Sequence, residues 1–259
     1  MGRIEQNTDM ANVADTAVVT GSSSGIGLAL SRMLVKNGYE VFGFGRNFER
    51  AEAQEFCKEQ PEKFHAVVCD ITDTQALCAH IKEIDKNYRV TVLVNNAGVG
   101  YYGLHEELNP KKIQKMVRTN LEAPMILTQQ LLRTLKKNRG TVLNISSVTA
   151  AQSNPHGCAY GATKAGLSGF AKSLFDEVRK YGVRVITIQP DMAKTDLYRN
   201  ADFTVGEETE SYLLPQDVAD AVAYIVGQRE GVAVSEVTLR PQYHRIRRKP
   251  VAKKERPVE

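Results

Sequence analysis

Tyr160 and Lys164 stand four positions apart in Tyr-Gly-Ala-Thr-Lys, and Ser147 lies thirteen positions before Tyr160. On a helix, positions four apart share one face, so the phenol and the ammonium address the same point in space. A phenol titrates near ~10 and is a poor proton donor or acceptor near neutrality, but a neighbouring positive charge favours its ionised form. That pairing is the chemistry of a general acid/base, with Ser147 placed to hydrogen-bond a substrate oxygen while the proton moves. Tyr-x-x-x-Lys alone is a frequent coincidence, and its weight comes from the elements around it.

The elements that would position these groups begin with an apolar run, 15–20, read as a buried strand. It runs directly into Gly21-Ser22-Ser23-Ser24-Gly25-Ile26-Gly27 and then a helical pattern ending at Asn37-Gly38. Strand, glycine-rich turn and helix let the backbone approach closely and offer free amides to a diphosphate. Gly21, Ser23, Ser24, Gly25, Ile26 and Gly27 are therefore expected against a dinucleotide.

The second strand, 39–44, closes at Gly45-Arg46 without the acidic residue that would accept hydrogen bonds from both ribose hydroxyls. Arg46 instead offers a charged fork suited to a 2′-phosphate, which favours NADP over NAD; the competing reading is a solvated surface arginine. A third strand, 64–69, closes at Asp70-Ile71, a pair able to hold an adenine between a carboxylate and an apolar side chain. After the fourth, 90–94, the small residues of Asn95-Asn96-Ala97-Gly98 again allow the backbone near a cofactor.

Helical patterns over 109–119 and 121–137 enclose Asn120 and Pro124, and the Asn120 amide either satisfies backbone groups at a kink or holds water against Lys164. The strand 141–146 leads to Ser147, and the helix of Tyr160 is rich in small residues (Ala162, Ala165, Gly166, Gly169), implying a subunit interface. A sixth strand, 183–189, runs into Pro190 and Thr195, and the polar stretch from there to Pro215 has the length of a lid. A helix over 216–227 and a strand over 232–239 complete the pattern. Strands alternating with helices define an α/β fold: a single-domain, Rossmann-like, doubly wound seven-stranded parallel sheet. The expected pocket involves Val99 to Leu104, Val148 to His156 and the lid; Tyr101 and Tyr102 either bind an apolar ring or line the core, and His156 reads as a solvated loop residue.

At 259 residues with no evident linker, one domain over 14–243 is expected, preceded by a flexible segment over 1–13. No apolar run approaches the ~18 residues of a membrane span, and Met1 to Asp15 lacks a secretory apolar segment, so a cytoplasmic protein is expected. Cys57, Cys69, Cys78 and Cys158 show no metal-ligand spacing and read as free thiols, with no metal. Residues 244–259 carry seven Lys/Arg against two Glu, which accounts for the chain's formal charge of +4. With two prolines and few apolar residues, this tail is expected to lack fixed structure, and without aromatic interleaving it gives no support to nucleic-acid binding.

Together these segments resemble the classical short-chain dehydrogenase/reductase family from about Ala14 to Leu239, through Thr20-Gly21-x-x-x-Gly25-Ile26-Gly27, Asn95-Asn96-Ala97-Gly98, Asn120, Ser147, Tyr160-x-x-x-Lys164, and Pro190 with Thr195. The resemblance implies that Tyr160 is the catalytic acid/base, that Ser147 steadies the substrate oxygen, and that Lys164 lowers the phenol pKa and binds the nicotinamide ribose. It also implies that Asn120 supports a proton relay. The sequence departs from the family at Asp191, where glycine is common, and at Thr238-Leu239-Arg240-Pro241, where Asp-Gly-Gly is common. That ending looks more like a subgroup acting on small hydroxy acids and amino acids. The expected function is NADP(H)-dependent, reversible hydride transfer to a small-molecule carbonyl or from a secondary alcohol, in a homodimer or homotetramer. A catalytically silent nucleotide sensor or scaffold of the same fold is the alternative.

Overall fold

The computed structural model describes residues 14–250; the expected segment over 1–13 and the tail beyond Pro250 lie outside the described residues. Strands and helices alternate as β1 (Thr16–Thr20), α1 (Gly25–Lys36), β2 (Glu40–Gly45), α2 (Ala51–Glu59), β3 (Phe64–Val68), α3 (Thr74–Asn87) and β4 (Val90–Asn95). They continue as α4 (Pro110–Val117), α5 (Ala123–Asn138), β5 (Thr141–Ile145), α6 (Cys158–Val178), β6 (Arg184–Pro190), β7 (Phe203–Val205), α7 (Pro215–Val226), β8 (Glu236–Leu239) and β9 (Ile246–Arg248). Seven strands form one sheet in the order β3-β2-β1-β4-β5-β6-β8, every pairing parallel.

Side chains alternate across each strand, so one strand feeds two cores. Val18 packs with Leu77 and Ile81 of α3, Leu127 and Leu131 of α5 and Leu174 of α6. Its neighbours Ala17 and Val19 face the other way, toward Leu30 and Leu34 of α1, Phe56 of α2 and Val218 and Val222 of α7. A sheet covered on both faces needs apolar residues at nearly every position, which is why β1, β4 and β5 are buried throughout.

Three elements differ from the sequence reading. The last sheet strand is confined to Glu236–Leu239, the residues that pair with β6. The tail expected to be structureless from 244 instead forms β9, antiparallel to β7. Its arginines find carboxylates: Arg247 pairs with Glu207 at 3.0 Å and Arg245 with Glu208. Between α4 and α5 the chain makes one π-helical turn, Arg118–Glu122, where a kink was expected.

The glycine turn after β1 is set by close approach. Gly21 has φ +70°, and a Cβ there would lie 2.8 Å from Asn96 Nδ2 and 2.9 Å from Ala97 Cα. A Cβ on Gly27 would lie 2.1 Å from the Gly21 carbonyl oxygen. Gly27→Ala is expected to cost about 1–3 kcal/mol by overpacking, read as a lower urea midpoint. An unchanged midpoint would show that the turn can open without loss.

Candidate active site

Strand order reverses between β1 and β4, and at the carboxyl ends of these strands lies a cleft of about 520 Å³. One end is shaped by the glycine turn. Ser24 caps α1 without a side-chain hydrogen bond and the first turn of α1 carries no acidic residue, so its N–H groups are free to meet an anion. The Ser31 hydroxyl donates to Gly27 O at 2.9 Å and is bonded to Ser22 Oγ, tying the turn down from behind. Gly25, at φ +55°, would press a Cβ to 3.1 Å from Thr195 Cγ2, so the loop after β6 bears directly on this turn. Arg46, Gly45 and Ser23 share the far wall with Asp70. Burial opposes ionisation of Asp70, but hydrogen bonds from the Thr72 amide and hydroxyl, with Lys115 and Arg46 nearby, outweigh it and hold the carboxyl below its usual value.

The other end holds the phenol and the amine. Three consecutive residues at the tip of β5 each grip or face α6. Ile145 O accepts from Lys164 Nζ at 2.7 Å, and the Ser146 hydroxyl donates to Lys164 O at 3.1 Å and is bonded to Ser168. Ser147 Oγ accepts from the Thr149 amide at 3.2 Å and the Thr149 hydroxyl at 3.0 Å, which leaves its own proton to donate. Tyr160 and Lys164 are each 3% exposed, and Lys164 Nζ lies 5.9 Å from the Tyr160 ring centre.

Burial corrects one sequence expectation. Desolvation pushes the Tyr160 phenol up to about 12, with the Ser147 hydroxyl hydrogen bond acting in the opposite direction, whereas the Lys164 charge was expected to bring it down. The same desolvation lowers Lys164 to about 8, so the amine resists carrying the charge that would have done so.

Asn120 sits in the π turn and is fully buried. Its Oδ1 accepts from Val99 N at 2.9 Å, while its Nδ2 donates to Val99 O at 2.9 Å and Thr163 Oγ1 at 3.1 Å. The amide is thus spent on fixing the loop after β4 against α6, which is the kink-satisfying reading of this residue. Ile26, Ile71, Asn96, Ala97, Gly98 and Pro190 join the cleft wall; Gly27 stands behind it. Tyr102 lines the cleft, Tyr101 lies under the Lys112 ammonium, and His156 turns at φ 62° with its carbonyl accepting from Gly103 N at 2.8 Å.

The short chain dehydrogenase family matches residues 15–204 of this sequence. The chain belongs to that family. This short-chain dehydrogenase is 32% identical over 237 residues to serine 3-dehydrogenase of Agrobacterium fabrum, covering 88% of its own chain and 94% of the relative's. Among solved structures, an alcohol dehydrogenase from the archaeon Thermococcus sibiricus complexed with 5-hydroxy-NADP is similar at TM-score 0.80 and 28% identity, over 89% of this chain and 98% of that one. A 3-ketoacyl-(acyl-carrier-protein) reductase from Brucella melitensis complexed with NADH is similar at TM-score 0.77 and 25% identity, over 87% and 96%.

Sequence reasoning did not single out four side chains that line this short-chain dehydrogenase's cleft: Tyr198, Phe203, His244 and Ile246. The first two fall within the segment read as a lid, where aromatic residues in a polar run were a usable signal. The last two gave none, because the segment around them has no apolar alternation.

An unfolded lysine keeps its proton to 10.5, but folded Lys164 gives it up near 8. Between those values the unfolded chain binds more protons, so stability rises with pH. The wild-type urea midpoint should therefore climb between pH 8 and 10 more steeply than that of Lys164→Met. Parallel curves would show that Lys164 holds its proton in the fold.

Proposed function

We propose that this protein is an NADP(H)-dependent oxidoreductase that interconverts a small-molecule carbonyl and its secondary alcohol. The observation that carries this reading is the convergence of the Tyr160 phenol, the Ser147 hydroxyl and the Lys164 amine at one end of a cleft whose other end is the glycine turn and Arg46. The cleft fits a dinucleotide by its own chemistry: uncapped amides for a diphosphate, a close backbone approach at Gly21, and a guanidinium with no acidic residue at the end of β2.

A nicotinamide bound there supplies the hydride. Tyr160 holds the proton that the carbonyl oxygen receives, and a phenol pushed to about 12 is fully protonated near neutrality, which suits the direction of carbonyl reduction. Ser147, with both lone pairs engaged by Thr149, donates its hydrogen to the same oxygen. Lys164, anchored on Ile145 O and lowered to about 8, is the group able to pass a proton toward the phenol after turnover. Asn120 positions this machinery through Val99 and Thr163.

Arg46 supports NADP over NAD; the nicotinamide cofactors of the similar structures include both types. The likeness to serine 3-dehydrogenase, with the Thr238-Leu239-Arg240-Pro241 ending, supports small hydroxy acids as substrates to test first. Gly169 on α6, where an added Cβ would meet nothing within 4 Å, and the exposed apolar side chains of Val117 and Met125 support a homodimer or homotetramer. A cytoplasmic location stays part of this reading; no described helix is long and apolar enough to cross a membrane.

Absorbance of NADPH during incubation with ketones, hydroxy acids and steroids tests the activity, and cofactor binding without turnover across that panel would favour the sensor alternative. Tyr160→Phe should lower kcat by at least about 10²-fold while leaving NADPH affinity intact; substantial residual rate would end the acid/base assignment. Arg46→Ala should cut kcat/KM for NADPH by roughly tenfold and spare NADH. Equal wild-type efficiency with both cofactors would overturn the NADP assignment.

A further inference from the structure

The segment 243–249 lies beyond the residues that the family matches, yet it is built into the wall of the cleft. The loop between β6 and α7 covers the substrate end, and its backbone is held from outside by this segment. Gly206 N donates to Arg245 O at 3.1 Å, Tyr243 N to Glu210 O at 3.0 Å and Lys249 N to Asp202 O at 2.7 Å. The Lys249 ammonium donates to Tyr198 O at 2.6 Å and Arg199 O at 3.3 Å, carbonyls at the end of a short helical turn where a cation is favoured. Arg245 and Arg247 add ion pairs to Glu208 and Glu207.

The same segment places His244, whose side chain is 70% exposed, and Ile246 at the rim of the cleft. His244 Nδ1 is 4.0 Å from Asp191 Oδ2; the Asp191 side chain is only 10% exposed, and its Oδ1 accepts from Met192 N at 2.9 Å. The loop then reaches the catalytic phenol through packed rings: Phe203 against Tyr102 at 5.2 Å and Tyr102 against Tyr160 at 5.7 Å between centres.

We propose that Tyr243–Lys249 is a substrate-binding strap: it pins the loop after β6 over the cleft and contributes His244, steered by Asp191, as a contact to the substrate. The pinning stands on the structure of the segment alone, and the substrate contact rests on the proposed carbonyl/alcohol chemistry.

Three full-length variants and one shortened chain test it. In Arg245→Glu/Arg247→Glu, amide hydrogen exchange over residues 196–211 should quicken by about tenfold, since two surface ion pairs and the pairing they guide are reversed. Adding Glu207→Arg/Glu208→Arg should restore the wild-type exchange, and a chain ending at Gln242 should exchange at least as fast as the reversal variant. With the best substrate of the panel, the reversal variant and His244→Ala should each raise KM by roughly three- to tenfold with NADPH affinity unchanged. Unaltered exchange in both the reversal variant and the shortened chain would overturn the pinning, as would failure of the charge swap to restore it. Unaltered KM in His244→Ala would overturn the substrate contact. If the wild type turns over nothing in the panel, the carbonyl/alcohol reading and with it the substrate contact fail, and the exchange measurement still decides the pinning.

Discussion

The site hangs on one buried hydroxyl. Thr20 Oγ1, 1% exposed at the tip of β1, accepts from the amides of Asn96 and Ala97 at 3.0 Å each and donates to Val94 O at 3.2 Å. Asn96 answers with its side-chain amide on Thr20 O at 2.8 Å. Two parallel strands normally separate beyond their last ladder bond, but here the neighbouring tips are stitched together past the sheet. The close contacts of Gly21 with Asn96 and Ala97 follow from that stitching, and so does a crevice floor narrow enough for backbone to reach a ligand from both sides. A residue without the hydroxyl would leave two half-buried amides without this partner at the place where the sheet parts.

A second constraint lies across the crevice, where the tip of β5 addresses α6 with three residues in a row. A carbonyl takes the lysine, one hydroxyl takes the helix backbone, and the next hydroxyl faces the phenol. The helix is therefore fixed in rotation as well as in place, and Tyr160 inherits its orientation in part from Ile145 and Ser146, which have no role toward the substrate. Burial at this junction makes the phenol a tenacious proton holder and the amine a reluctant cation, a pair whose values are driven apart.

The parallel sheet was legible because a strand buried on both faces writes itself as an uninterrupted apolar run, as in β1 and β4. The glycine turn and the Tyr160–Lys164 spacing were legible because each is a local geometry that few residue types satisfy. The phenol's pKa was not, since it depends on how much protein surrounds the ring, and no sequence distance encodes that. β9 was hidden for a related reason. Ile246-Arg247-Arg248 has no alternation and a single apolar residue, and its order comes from the acidic loop about forty residues earlier, a partnership visible only once the chain has returned upon itself. The end of the sheet shows the converse: apolar content at Val232 and Val234 suggested a longer strand than the one that pairs with β6.

The π turn at Arg118–Glu122 has a consequence for how the chain tolerates change in length. Each residue in an α-helix advances the face by about 100°, and a π turn accommodates one residue more than regular winding. Upstream of it, Met116 of α4 looks toward Val99 and Tyr160; downstream, Leu127, Leu131 and Leu135 of α5 look toward the sheet. Loss of a single residue from this turn would let the two helices fuse into one regular rod, and the rod can satisfy only one of those two directions. The wide turn is thus a phase adjuster, and the gene can sooner accept a substitution there than an in-frame deletion.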